Sequence, residues 1–130
     1  MEVLSSRILL RPLEPQRTLD FYERVLELPI YREFGEPGAR GVVFFLGGGF
    51  LEVSASAEDP ATDATQLWLQ VRDLAAAHRH LTSHGVRIEE PPCEKPWGLH
   101  EMRARDPDGR LLVFVQVPAD HPLRRDVRSR

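Results

Sequence analysis

Cysteine is almost missing from this 130-residue chain, which has only Cys93. A single thiol excludes an internal disulfide and any cysteine-rich zinc site, and with no motif around it Cys93 reads as an ordinary unpaired thiol. Long apolar runs are missing too. The longest, such as Val42 to Leu46 and Leu111 to Val115, fall far short of the roughly 20 residues that cross a bilayer. The opening MEVLSSRILL has no basic region ahead of a long apolar segment, so it does not read as a signal peptide, and a cytoplasmic location without membrane attachment is expected. Nor is there an excess of positive charge. The formal net charge is −3 with acids and bases mixed along the chain, so the electrostatic footprint of a nucleic-acid binder is lacking. The one basic run, Arg124 to Arg130, reads as a solvated terminal tail.

Familiar catalytic signatures are also missing. There is no CxxC motif and no recognisable Ser-His-Asp arrangement, and the glycines Gly47 to Gly49 lack the lysine and following helix of a phosphate-binding loop. Of the five histidines, His78, His80 and His84 belong to one predicted helix, with His100 and His121 further on. His80 and His84 are one helical turn apart and could share a metal, but a solvated helix surface is the simpler reading.

What is present is the composition of a single globular domain, 42% hydrophobic and 28% charged. Ser6 to Leu13 reads as a strand closed by prolines. From Gln16 the residues Leu19, Phe21, Tyr22, Val25 and Leu26 recur at helical spacing, predicting a helix that ends near Glu27. Strands are expected over Pro29 to Phe34, Gly41 to Leu46 and Phe50 to Ser54. Residues 55–64 (ASAEDPATDA) are small, polar and proline-containing, as a linker is.

The same order then begins again. Gln66 to Val71 alternates as a strand, and Asp73 is placed to cap a helix running to about His84 that Gly85 closes. Val86 to Glu89 is a predicted strand and Pro91 to Gly98 a loop. Leu99 to Arg105 and Arg110 to Val117 flank a DPDG turn as a hairpin. Gly48-Gly49-Phe50-Leu51-Glu52 lies over Gly109-Arg110-Leu111-Leu112-Val113, and Arg7 lies over Gln66 at nearly the same offset. The chain therefore reads as α+β, with module 1 over about 6–54, a linker over 55–64, module 2 over about 66–117 and a tail over 118–130. Each half alone is too small to bury much core, so the two are expected to pack around a shared cleft.

Four segments in this order resemble the vicinal oxygen chelate superfamily, which includes glyoxalase I, the bleomycin-resistance proteins and the extradiol dioxygenases. They are Leu19-Asp20-Phe21-Tyr22-Glu23-Arg24-Val25-Leu26-Glu27-Leu28, Val71-Arg72-Asp73-Leu74, Lys95-Pro96-Trp97-Gly98, and Asp106-Pro107-Asp108-Gly109-Arg110-Leu111-Leu112. The resemblance covers residues 6–117 and implies two tandem βαβββ modules forming an open half-barrel cleft, usually in a homodimer. Glu27 stands where the family usually has glycine, which suggests a helix end that avoids the left-handed conformation.

Metal-using relatives draw one ligand from the first strand and one glutamate from the last strand of each module. Carried over, these places fall on Arg7, Glu52, Gln66 and Val113, of which only Glu52 is a good ligand. No metal and no other cofactor is therefore expected. By resemblance, the expected function is a small-molecule (drug or metabolite) binding protein of the bleomycin-resistance type, holding a planar or cationic ligand. Arg7, Phe44, Phe50, Glu52, Gln66, Trp68 and Trp97 are candidates to line the site, with Tyr31 beside them; Phe44 and Phe50 also suit a core, and Trp68 suits either place. The alternative is a lyase, isomerase or dioxygenase of the same superfamily, with Glu52 as general base and Arg7 or His100 assisting; a third is an interaction module with a vestigial cleft. A base at Glu52 would need a raised pKa, which an adjacent arginine opposes. Arg7 is instead expected to take the metal's electrostatic place beside Glu52, or to share a ligand's acidic group with it.

Overall fold

Each half of the chain folds as its hydrophobic alternation requires, with a strand, a crossover helix and three antiparallel strands giving a four-stranded mixed sheet. The computed structural model describes residues 1–124, so the basic run beyond Arg124 lies outside the described residues. The chain divides into two compact units, Met1–Ala61 and Thr62–Arg130, with the boundary inside the small polar segment between the halves.

In the first unit, β1 (Arg7–Leu10) leads into α1 (Pro15–Asp20), which continues as a π-helical turn over Phe21–Val25. β2 (Ile30–Phe34), β3 (Gly41–Leu46) and β4 (Gly49–Val53) follow, in the sheet order β1-β4-β3-β2 with β1 parallel to β4. Residues paired across these strands share a face. Val42, Phe44, Leu51, Val53 and Leu10 therefore lie on one face, where they are buried, and the Tyr22 ring of the helical segment sits 6.5 Å from Phe44. Arg7, Leu9, Val43, Phe45, Phe50 and Glu52 lie on the other face.

The second unit repeats this plan. β5 (Leu67–Gln70), α2 (Leu74–Ser83), β6 (Ile88–Glu94), β7 (His100–Arg105) and β8 (Leu111–Gln116) give the order β5-β8-β7-β6, with β5 parallel to β8. Asp73 caps α2 by accepting from the Ala76 amide at 3.0 Å, and Gly85, at φ +70°, supplies the left-handed residue just past its end. The Asp106 carboxylate accepts from the amides of Asp108 (2.8 Å) and Arg110 (2.9 Å), which fixes the β7–β8 turn. The fold is thus α+β with two repeated βαβββ modules. The repeat extends to register, since Leu9 stands opposite Glu52 as Trp68 stands opposite Val113.

Two local expectations are corrected. The segment Pro91 to Gly98 is not all loop, because β6 continues through Pro91 and Pro92 to Glu94. It is an edge strand and its pairing slips between Glu90 and Cys93, conditions under which missing amide donors are tolerated. Glu27 does not avoid the left-handed conformation: its φ is +55°. The end of the first helix is closed by the Leu28 amide donating to the Tyr22 carbonyl at 3.1 Å, a reach that needs a left-handed residue just before Leu28.

A side chain held there costs about 1–2 kcal/mol relative to glycine's freedom. Glu27→Gly is expected to stabilise the protein by about 0.5–1 kcal/mol, with Glu27→Ala giving no comparable gain. Urea midpoints of the three proteins check this, and an equal gain from alanine would overturn the backbone explanation.

Candidate functional site

The alternation of β1 and β4 brings the chemistry of the first unit onto the sheet face opposite α1. Arg7 pairs with Phe50 and Leu9 with Glu52 across the parallel ladder, and Phe45 pairs with Phe50 across the antiparallel one. The Arg7 Nη1 donates to Glu52 Oε1 at 2.9 Å, so the expected pair forms. Glu52 Oε2 accepts from the Ser54 hydroxyl at 2.6 Å, and that hydroxyl accepts from Arg11 Nη1 at 3.0 Å. Arg11 also lies 3.6 Å from Oε2. Glu52 is buried, whereas the side chains of Arg7 and Arg11 are 37% and 40% exposed.

These contacts hold the Glu52 carboxyl below the usual carboxylate range. The Ser54 hydroxyl is the chief cause, burial opposes it, and Arg7 and Arg11 add to the lowering. A folded-state pKa below the unfolded one means that Glu52 contributes stability above the ordinary carboxylate range and loses it as pH falls through its lowered value. The same direction works against a general base near neutral pH.

Beside Arg7 stands an aromatic cluster. The Tyr31 ring lies 4.8 Å from Phe50 and 5.2 Å from Phe45, and Phe45 lies 5.6 Å from Phe50. Tyr31 and Phe45 are 50% and 43% exposed, so their faces are open to a ligand rather than spent in a core.

The other sequence candidates fall elsewhere. Phe44 is corrected: the register turns it toward the helix, fully buried beside Tyr22, where no ligand on the Phe50 face reaches it. In the second unit Gln66 is exposed just ahead of β5, with its amide on the Asp63 carbonyl at 3.1 Å. Trp68 is half exposed and shares a face with Val113. Trp97, also exposed, donates its indole N–H to the buried Glu101 at 2.6 Å. His100, named as an assistant to Glu52, lies in the second unit, on β7 beside the strand of Val113. It pairs with Gln116 on the opposite face of that sheet, where the Gln116 side chain accepts from the Leu74 amide of α2.

Sequence reasoning passed over Arg11, Ser54 and Phe45. The period of two along Arg7-Leu9-Arg11 and Phe50-Glu52-Ser54 was a usable signal for the first two.

The resemblance puts Glu52 and Val113 at two of the family's metal-ligand positions. Glu52 has both oxygens engaged by Arg7 and Ser54, and Val113 offers no donor atom. His84 Nδ1 lies 2.9 Å from the His80 carbonyl, and among the described residues no group of three or more His, Cys, Asp or Glu is placed to hold an ion. No described helix is long and apolar enough to cross a membrane.

Comparison with known proteins gives a consistent picture. The family model described as the Glyoxalase/Bleomycin resistance protein/Dioxygenase superfamily matches residues 6–114. A superfamily member from Sphaerobacter thermophilus DSM 20745 is 26% identical at a TM-score of 0.71, over 88% of this chain and 98% of that one. TioX from Micromonospora sp. ML1 is 24% identical at a TM-score of 0.74, over 89% of this chain and 100% of that one. A glyoxalase-related enzyme from Fulvimarina pelagi is 16% identical at a TM-score of 0.70, over 92% and 91% of the two chains. The last two likenesses speak to the fold alone. No curated protein sequence matches.

Proposed function

The chain belongs to the Glyoxalase/Bleomycin resistance protein/Dioxygenase superfamily, and from that premise we propose that it is a small-molecule binding protein of the bleomycin-resistance type that works without a metal ion. The observation that carries this reading is the commitment of Glu52. The one good ligand at the family's metal positions is hydrogen-bonded to Arg7 and Ser54, with Arg11 behind it. A cation entering there would have to displace two guanidinium groups and meet their charge.

The exposed rings of Tyr31 and Phe45, with the half-buried Phe50 between them and Arg7, supply what a binding site needs in place of Lewis-acid chemistry, namely apolar contact area next to a few fixed polar groups. The lowered pKa of Glu52 favours binding over proton transfer.

The protein acts as a homodimer in this reading, because β1 and β2 end one sheet and β5 and β6 the other, leaving edges that a second copy covers. One preparation tests the reading. Elemental analysis should find no stoichiometric zinc, nickel, iron or manganese, and EDTA should leave the melting temperature unchanged. A thermal-shift screen of drug-like compounds and metabolites should yield hits that stabilise by mass action. About one metal per chain, lost on Glu52→Gln, would overturn it, and sedimentation as a monomer alone would remove the dimer.

A further inference from the structure

The sheet face that carries Glu52 is positive although the chain is not. The net charge of the sequence is −3, yet Arg7, Arg11 and Arg32 stand on this face with Glu52 as the only carboxylate on the paired strand positions. Glu33, the one acid of β2, pairs with Val42 on the helix side and is bonded to Arg40. Glu52 is buried with both oxygens accepting hydrogen bonds, so little of its charge is left for a ligand. The bonds to Glu52 and Ser54 engage one terminal nitrogen each of Arg7 and Arg11. A guanidinium has five N–H donors, and the remaining ones sit on side chains more than a third exposed.

Geometry sets these donors beside the rings. Arg7, Phe50 and Phe45 form one transverse row across β1, β4 and β3, and the Tyr31 ring closes on the last two. Neighbouring strands are spaced by about 4.8 Å, so the row matches a flat ring system carrying a substituent at one end. Arg32 lies at the far side of the face, 5.8 Å over the Phe34 ring.

We propose that this face binds an aromatic organic anion, a planar ring resting on Tyr31, Phe45 and Phe50 with its carboxylate or comparable acidic group held by Arg7 and Arg11. This rests on the binding reading above and names its ligand class, keeping the planar ligand that family resemblance implies and replacing the cationic one by an anion. A cationic aromatic would gain from the ring faces but would meet three guanidinium groups and no available carboxylate. An acid gains the rings together with charge-assisted, forked hydrogen bonds.

The test uses three probes with one ring system: 1-naphthoate, 1-naphthalenemethanol and 1-naphthylmethylamine, which are anionic, neutral and cationic near neutral pH. Calorimetric titration of the full chain at low salt should find 1-naphthoate bound at least about tenfold more tightly than the alcohol, with the amine weakest. The preference should shrink as salt rises. Arg11→Gln leaves Glu52 its Arg7 and Ser54 partners, so the variant should fold and lose most of the preference for the acid. Phe45→Ala should weaken whichever probes bind without changing their order.

If the alcohol or amine binds as tightly as the acid, the ligand class is overturned while the binding reading stands. Binding of none of the three at millimolar concentration also overturns the proposal, and thermal-shift hits of other chemistry would then keep the broader reading alive. Stoichiometric metal lost on Glu52→Gln would remove both.

Discussion

Phe44→Ala is expected to destabilise the protein by about 3–5 kcal/mol, while its neighbour Phe45→Ala costs less than about 1 kcal/mol. Phe44 is fully buried between β-strand neighbours and Tyr22, so truncation removes a ring's transfer energy and leaves a cavity that close-packed surroundings only partly fill. Phe45 keeps 43% of its surface exposed and touches only Tyr31 and Phe50 among the rings. Chemical denaturation of both variants reads the stability difference, and ligand titration reads the converse: Phe45→Ala loses affinity with its fold intact. Comparable destabilisation by both substitutions would mean that the two side chains do not face opposite sides of the sheet.

The second large effect concerns Glu52. Arg7→Leu alone is expected to cost no more than about 1 kcal/mol, because the arginine is partly solvated and Arg11 and Ser54 remain beside the carboxylate. Arg7→Leu with Arg11→Leu is different. It strands a buried carboxylate with one hydroxyl as its partner, and should cost about 2–4 kcal/mol, more than the two single losses together. Adding Glu52→Leu should recover most of that loss, since an apolar side chain has no charge to desolvate.

The pH dependence follows the same logic. In the wild type, Glu52 supports folding above the ordinary carboxylate range and loses that contribution as pH falls through its lowered pKa. In the double variant the lowering due to the arginines is gone, so less stability is lost on acidification. Melting temperatures of the five proteins, Arg11→Leu alone included, between about pH 3 and pH 7 check both claims. Strict additivity of the two arginine losses would show that they do not share Glu52.

The partnership of Arg7 with Glu52 was expected from the family's topology, whereas the linear sequence itself determined the order of elements, the duplication, the Asp73 cap and the Asp106 turn. Each depends on local chemistry or on a side-chain period that survives errors of a residue or two at strand ends. Asp73 needs only its own helix, and the two modules repeat one pattern of capping and turn residues.

Facing was harder to read, because a slip of one residue exchanges the two sides of a strand. In Val42-Val43-Phe44-Phe45-Leu46 every residue suits either side. Only the pairing of Leu46 with Gly49 across a two-residue turn, with Gly47 at φ +55°, puts Phe45 opposite Phe50 and sends Phe44 to the core. Glu27 shows tertiary structure overriding residue preference: a π-helical turn ahead of it and the Leu28 bond to Tyr22 force a left-handed backbone on a side chain that disfavours it. Pro91 and Pro92 read as loop until the edge position of β6 makes their missing donors harmless. Arg11 and Ser54 join Glu52 only once β1 lies parallel to β4, a long-range pairing that no local signal carries.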